Sequence, residues 1–248
     1  MPDYLTLIKD KEQEQAELDV RMQTDSDILW LKKYVMRGID KAIVPDIINI
    51  TLNRPRVFAD NVISALGGAS QQTIVESEDE TIDTHEIEQF QVAAFGSANA
   101  RLRRQPGYIF LGPFADTQLC IRGSAARRVL FRTEDGVLIP DITPWDMRYV
   151  RYETGTNGLL WAAYKTTRSK AQIETEYGIT VKGQEGKVVD VWDDTHNEVW
   201  INGDKRLEQP HWFFETPVVI QIVSLGYGSI LLDSNRVAHE GESIFSSI

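Results

Sequence analysis

The sequence predicts an α+β fold in which helices at the N-terminal end are followed by an antiparallel, hairpin-rich sheet or small sandwich. Three observations carry this. Ile87, Phe90, Ala94, Ala98 and Leu102 recur at helical spacing. After Pro113 the period shortens to an alternation in which Val129 and Phe131 are flanked by Arg128, Leu130 and Arg132. Turn pairs such as Asp135-Gly136 and Asn202-Gly203 then separate short apolar runs, as successive hairpins require. Consecutive hairpins with one inserted helix favour an antiparallel over a parallel arrangement.

The elements follow in order. Residues 4–22 are rich in helix formers, with an almost wholly polar stretch from Lys9 to Glu17, so that helix is solvated or awaits a partner. A second short helix is predicted after Asp25 or Ser26 as cap, with Ile28, Leu31 and Val35 on one side and Trp30 and Tyr34 beside them. The β-branched run Ile47-Ile48-Asn49-Ile50-Thr51-Leu52 predicts a strand ending at Asn53-Arg54-Pro55. Proline in a first turn starts a helix carrying Val57, Phe58, Val62, Ala65 and Leu66, stopped by Gly67-Gly68 in a left-handed cap. Residues 76–88 hold seven carboxylates and predict a solvated loop leading into the helix that ends at Pro106-Gly107. Strand pairs follow at Arg128–Arg132 with Val137–Ile139, Met147–Tyr152 with Leu159–Thr166 across Gly155-Thr156-Asn157-Gly158, and Val188–Trp192 with Val199–Asn202. A helix from Ser169 to Tyr177, stopped by Gly178, interrupts them. Pro217 to Leu232 reads as a strand and then a loop, and Ser243–Ile248 as the start of an amphipathic helix that is cut short by truncation. The domains are therefore 1–107, helical with one short strand; 108–224, β-rich; and 225–248, loop and helix start.

Composition narrows the function. The single cysteine, Cys120, excludes an intramolecular disulfide and a thiolate zinc site, and points to a reducing compartment. No secretory leader pattern opens the chain, and the Pro217–Leu232 run is too short and polar to span a bilayer. A net charge of −11 argues against broad coating of nucleic acid. Arg101, Arg103 and Arg104 fall where cations oppose the negative end of a helix dipole. That explains them as helix-end or subunit-contact residues, with a phosphate contact as the alternative.

Catalytic patterns are absent. Gly186-Lys187 precedes Val188 rather than the hydroxyl of a phosphate-binding loop, and Gly226 with Gly228 lacks the third glycine of a dinucleotide site. His85-Glu86 and His239-Glu240 meet Gln89 and Ser243 where a zinc protease needs a second histidine, and His196 and His211 stand in separate loops. Asp141, Asp146 and Glu153, beside Trp145 and Trp161, are the one carboxylate set that suits a glycoside hydrolase. Asp193-Asp194-Thr195-His196-Asn197 reads as a strand-to-strand turn before it reads as a metal loop. Trp192 and Trp200 are expected to pack across a hairpin. The residues thus predict no catalytic, cofactor or metal site.

Several stretches together resemble the portal proteins of tailed bacteriophages. They are Asp27-Ile28-Leu29-Trp30, Ile50-Thr51-Leu52-Asn53-Arg54-Pro55, the hairpin from Asp135-Gly136 to Pro140-Asp141-Ile142-Thr143-Pro144-Trp145-Asp146, and Gly158-Leu159-Leu160-Trp161. Arg168-Ser169-Lys170, Glu176-Tyr177-Gly178, Val188 to Asp193, Pro210-His211-Trp212-Phe213 before Pro217-Val218-Val219, and His239 to Phe245 continue the series. The resemblance implies the wing region of a portal, with a stem-type helix beginning near the end. It implies a non-catalytic ring of about a dozen subunits at the capsid vertex, contacting capsid, terminase and head-to-tail adaptor proteins. DNA would pass through the channel without strong binding. The location would be the virion, and the host cytoplasm during assembly, with no membrane contact. A carbohydrate-active hydrolase and a non-portal virion β-sandwich module are the rival readings.

Overall fold

A computed structural model describes residues 3–33, 35–48, 50–69, 74–77, 81–105, 107, 109–156, 158–213, 215–223, 230–233, 236–239 and 241–245. The fold is α+β, and its described residues form six helices, two antiparallel sheets of three and five strands, and one separate strand pair. The chain divides into two compact units. Residues 1–16, 73–111 and 125–221 make the first, and 17–72, 112–124 and 222–248 the second.

In the first unit, β3 (Val150–Gly155), β4 (Gly158–Ser169), β5 (Glu185–Asp193), β6 (His196–Ile201) and β7 (Asp204–Pro210) form an antiparallel meander. Side chains alternate across it. One face carries Trp161, Ala163 and Val191, covered by Tyr4, Leu7 and Ile8 of α1 (Tyr4–Glu14). The other carries Val188, Val199 and Ile201, covered by Ile173 and Tyr177 of α6 (Lys170–Tyr177). α6 obeys its sequence signals closely. Ser169 and Gln172 form a reciprocal capping box, and Gly178 ends the helix at φ 68°. Trp192 and Trp200 do not meet. Val189 is the residue opposite Trp200, and a three-residue offset along β5 puts Trp192 on the opposite face.

The smaller sheet has the order β2 (Val137–Trp145), β1 (Ser124–Glu134), β8 (Val218–Ile222). Asp135 (φ 50°) and Gly136 (φ 78°) make the tight turn between β1 and β2, both left-handed as that hairpin type demands. Val129 and Ile142 pack under Ala98 and Leu102 of α4 (Thr84–Leu102), with Leu111 completing the cluster.

The second unit contains α3 (Arg54–Gly68) and all but the first residue of α2 (Ala16–Leu29) and of α5 (Leu111–Arg122). Leu29, Ala59, Cys120, Ile121 and Phe245 are its core. Residues 241–245 are laced to α5 and α2: Ile244 N–H donates to the Cys120 carbonyl of α5 at 2.8 Å, and Arg21 of α2 donates to the Gly241 carbonyl at 2.9 Å. Gly123 and Gly241 pass so close that a Cβ on either would lie 2.3 Å from the other's backbone region, and both have positive φ. In this unit β9 (Ile230–Asp233) and β10 (Arg236–His239) pair antiparallel, where the sequence reads the end of a strand and a loop. Residues 243–245 are non-helical, and the remainder of the expected terminal helix lies outside the described residues, as do Gly226 and Gly228.

Several expectations are corrected. Asp25 and Ser26 do not cap a helix but lie inside α2, because Ser26 returns its hydroxyl to the Met22 carbonyl and Asp25 is buried against Ser243. The helix ends at Leu29, and Leu31 just beyond it takes a left-handed φ of 52°. α3 runs through Gly67 and Gly68 without a left-handed residue, and Ala69 is its extended C-cap. The described residues of 47–52 form no strand. α5 contradicts the idea that helical spacing ends at Pro113. Gly112-Pro113 lies in its first turn, where proline's missing N–H costs nothing.

Candidate functional site

A dense polar cluster in the first unit begins at Asp141 on β2. Arg101, in the last turn of α4, is ion-paired with it, and from β1 Arg132 approaches at 3.2 Å and Arg128 at 3.8 Å. Arg128 continues to Asp190 on β5 at 2.9 Å, and Asp190 accepts from the Asn197 amide at 2.7 Å. Burial alone would raise the Asp141 carboxyl, but Arg101, Arg128 and Arg132 outweigh it and hold the group below the usual carboxylate range. An acid so placed is ionised at neutral pH and cannot supply the proton a glycosidase needs.

The other two members of the carboxylate set are equally committed. Asp146 caps the 3₁₀ turn Met147–Tyr149 and pairs with Arg148 at 2.7 Å; Glu153 pairs with Lys11 at 2.7 Å. Their tryptophans are not sugar platforms, because Trp145 is buried in a stack on Tyr164 at 4.9 Å and Trp161 is buried edge-on to Tyr4.

Asp193 works as a turn residue. One oxygen accepts from the Thr195 N–H at 2.7 Å and from the His196 N–H, and the other accepts from the Tyr4 hydroxyl at 2.6 Å. Burial would raise its carboxyl, but these donors hold it low. Burial, then Asp193 itself, pushes the Tyr4 phenol well up. Among the described residues no three His, Cys, Asp or Glu converge as metal ligands. The Cys120 thiol is buried, and burial, with Asp116, pushes it up, away from nucleophilic use.

The arginine trio separates. Arg101 turns inward to Asp141; Arg103 is the C-cap residue of α4, exposed, with its guanidinium 5.1 Å from the Phe110 ring; Arg104 is exposed. His85 and His196 are engaged locally with Gln89 and Thr195, His211 meets the Asp193 carbonyl at 3.0 Å, and the His239 side chain lies outside the described residues.

What sequence reasoning missed is the exposure of a stretch of apolar and basic side chains. In the second unit Ile39, Ile43, Ile48, Ile50 and Leu52 are exposed, Ile39 fully and Ile48 at 89%. Lys33, Lys41 and Arg54, also exposed, make no ion pair with any described residue. The signal was legible in outline, since residues 32–60 carry six Lys or Arg against three Asp in a chain of net charge −11. No family model matches the chain, and no curated protein is significantly similar to it.

Proposed function

We propose that the chain is a non-catalytic, ring-forming structural subunit of the portal kind, serving DNA packaging and head-to-tail joining in a phage particle. The observation that carries the assembly reading is the run of exposed isoleucines and Leu52 between positions 39 and 52. Large apolar side chains left this exposed in one stretch of a chain of net charge −11 mark a place where another protein belongs. A ring lays such a patch heterologously on a different patch of the next copy, so closure covers every copy.

The commitment of Asp141, Asp146 and Glu153 to arginine and lysine partners supports a scaffold over a hydrolase. The acidic balance suits a channel that passes DNA without gripping it. Negative-stain images and native mass of the full gene product test the reading. Closed rings of about a dozen copies are expected; a protein that stays monomeric at every concentration, with or without other capsid components, overturns it.

A further inference from the structure

We infer that Trp212 is a binding site for the guanidinium of an arginine on a partner polypeptide, with the exposed carboxylates of Asp194 and Glu215 as its counter-charge. The assignment goes beyond the ring reading and does not depend on it. The chain's six tryptophans set a pattern. Trp145 and Trp161 are buried against Tyr164 and Tyr4. Each of three others already has a cation of this chain over its ring: Arg56 lies 5.0 Å from the centre of Trp30, Arg128 5.8 Å from that of Trp192, and Lys205 5.7 Å from that of Trp200. Trp212 departs from it. It is 70% exposed, and no described Lys or Arg stands over its ring.

The ring is held ready for a ligand. It stacks on Phe213 with centroids 4.6 Å apart; Phe213 contacts the His211 ring at 5.5 Å, and His211 contacts buried Trp192 at 5.6 Å. His211 is itself tied to the turn between β5 and β6. Its backbone N–H donates to the Thr195 carbonyl at 2.9 Å, and its Nε2, which must carry a proton to face a carbonyl, donates to that of Asp193 at 3.0 Å. Beyond the stack, the Thr216 hydroxyl donates to the Leu159 carbonyl of β4 at 3.2 Å. His211 and Thr216 thus fasten the stack to the larger sheet on either side, and little freedom is left to lose when the face of Trp212 turned away from Phe213 is covered.

Charge selects what covers it. Asp194 lies in the chain between the two residues that hold His211, and Glu215 follows two positions after Phe213. Both are exposed, and neither side chain makes an ion pair or hydrogen bond with a described residue. Residues 188–204 and 207–217 include no Lys or Arg. A nucleic acid would lay a base on the indole, but its phosphates would meet carboxylates with no cation to offset them. A sugar would cover the ring and leave both charges unbalanced. A guanidinium meets both demands, because its flat face stacks on an indole while its edge donates paired N–H groups to carboxylates. On a polypeptide it also brings an aliphatic stem that extends the apolar contact.

The test titrates the full chain, isotope-labelled at its indole nitrogens, with the peptide acetyl-Gly-Arg-Gly-amide and with the same peptide carrying citrulline, which has the shape of arginine without its charge. Trp212→Phe identifies the Trp212 signal by its disappearance. The arginine peptide is expected to shift that signal ahead of the other tryptophans, and the citrulline peptide to bind about tenfold more weakly. Affinity read from the slowed diffusion of the arginine peptide should fall by about the same factor in Trp212→Ala. It should fall about threefold in Asp194→Asn/Glu215→Gln, a change confined to exposed side chains that leaves the stack in place. Equal binding of the citrulline peptide, or unchanged affinity in either variant, overturns the assignment. So does a Trp212 signal that moves at lower concentrations of methyl glucoside, oligothymidylate or tetramethylammonium than of the arginine peptide, since these mark a sugar, a single-stranded nucleic acid and a free quaternary amine in turn.

Discussion

Arg128 stands between two buried carboxylates, 2.9 Å from Asp190 and 3.8 Å from Asp141, so one guanidinium ties the smaller sheet of the first unit to the larger. Removing one side of such a pair leaves an uncompensated charge out of water. Asp190→Ala is expected to lower stability by about 3–5 kcal/mol. Combined with Arg128→Met it should cost distinctly less than the sum of the single changes. Urea titrations arranged as a double-mutant cycle measure this, and strict additivity would contradict the coupling.

Acid should unfold the first unit through the same carboxylates. Asp141 and Asp193 are held below their ordinary values, so protons bind the unfolded chain more readily than the folded one. Their contribution is complete above the unfolded value of about 3.9 and disappears as pH falls through the native values. Urea midpoints are expected to hold from pH 7 to about 5 and then to fall. In Asp141→Asn the midpoint at pH 7 should be lower and the acid loss shallower.

Asp25 has the opposite sign. Burial raises its carboxyl despite Ser243, Arg21 and Arg122, so the folded chain takes up this proton more readily than the unfolded one. Its ionised form is a burden that grows as pH rises through the native value. Asp25→Asn should therefore raise the melting temperature at pH 7, with the gain shrinking on acidification as Asp25 itself becomes neutral. A loss at pH 7 would show that the arginines dominate.

The two ends of the arginine trio should behave differently. Arg103→Gln/Arg104→Gln, at exposed positions, is expected to change stability by less than about 0.5 kcal/mol, and to leave any DNA affinity weak. Arg101→Gln, which strips Asp141 of its hydrogen-bonded partner, should cost about 1–3 kcal/mol. Thermal melts and salt-dependent DNA titrations of the variants decide it.

Gly123→Ala and Gly241→Ala should each destabilise by at least about 1–3 kcal/mol. Their positive φ values disfavour a side chain, and a Cβ at either would meet backbone at 2.3 Å. Calorimetric scans check the size. Gly107→Ala, with open space around it despite its φ of 86°, separates conformational strain from collision.

Elements defined by local chemistry were legible in the sequence. α4 announced itself through helical spacing, α6 through Ser169 and Gly178, and the β1–β2 turn through Asp135-Gly136. Elements decided by distant partners were not. Asp25 and Ser26 look like caps until Arg122, 96 positions after Ser26, occupies the Ser26 hydroxyl within an unbroken α2. Gly112-Pro113 reads as a break unless α5 already has Cys120 and Ile121 to bury. The neutralisation of Asp141 has no linear signature, because its three arginines come from α4 and from two positions of β1. The run at 47–52 has the composition of a strand, yet its described residues form none, so composition alone misled.

β3 to β7 are consecutive both in sequence and in space, so each pairing in that meander closes a short stretch of chain. Such topology assembles quickly. α1 is the exception, since Tyr4 reaches Asp193 across 189 positions. Helix α1 leaves the ribosome before the sheet it covers, yet can dock only when the last of its partners has been synthesised. Until then the face bearing Trp161 and Val191 stands bare, and that interval is when a nascent chain of this design is most exposed to aggregation and most in need of a chaperone.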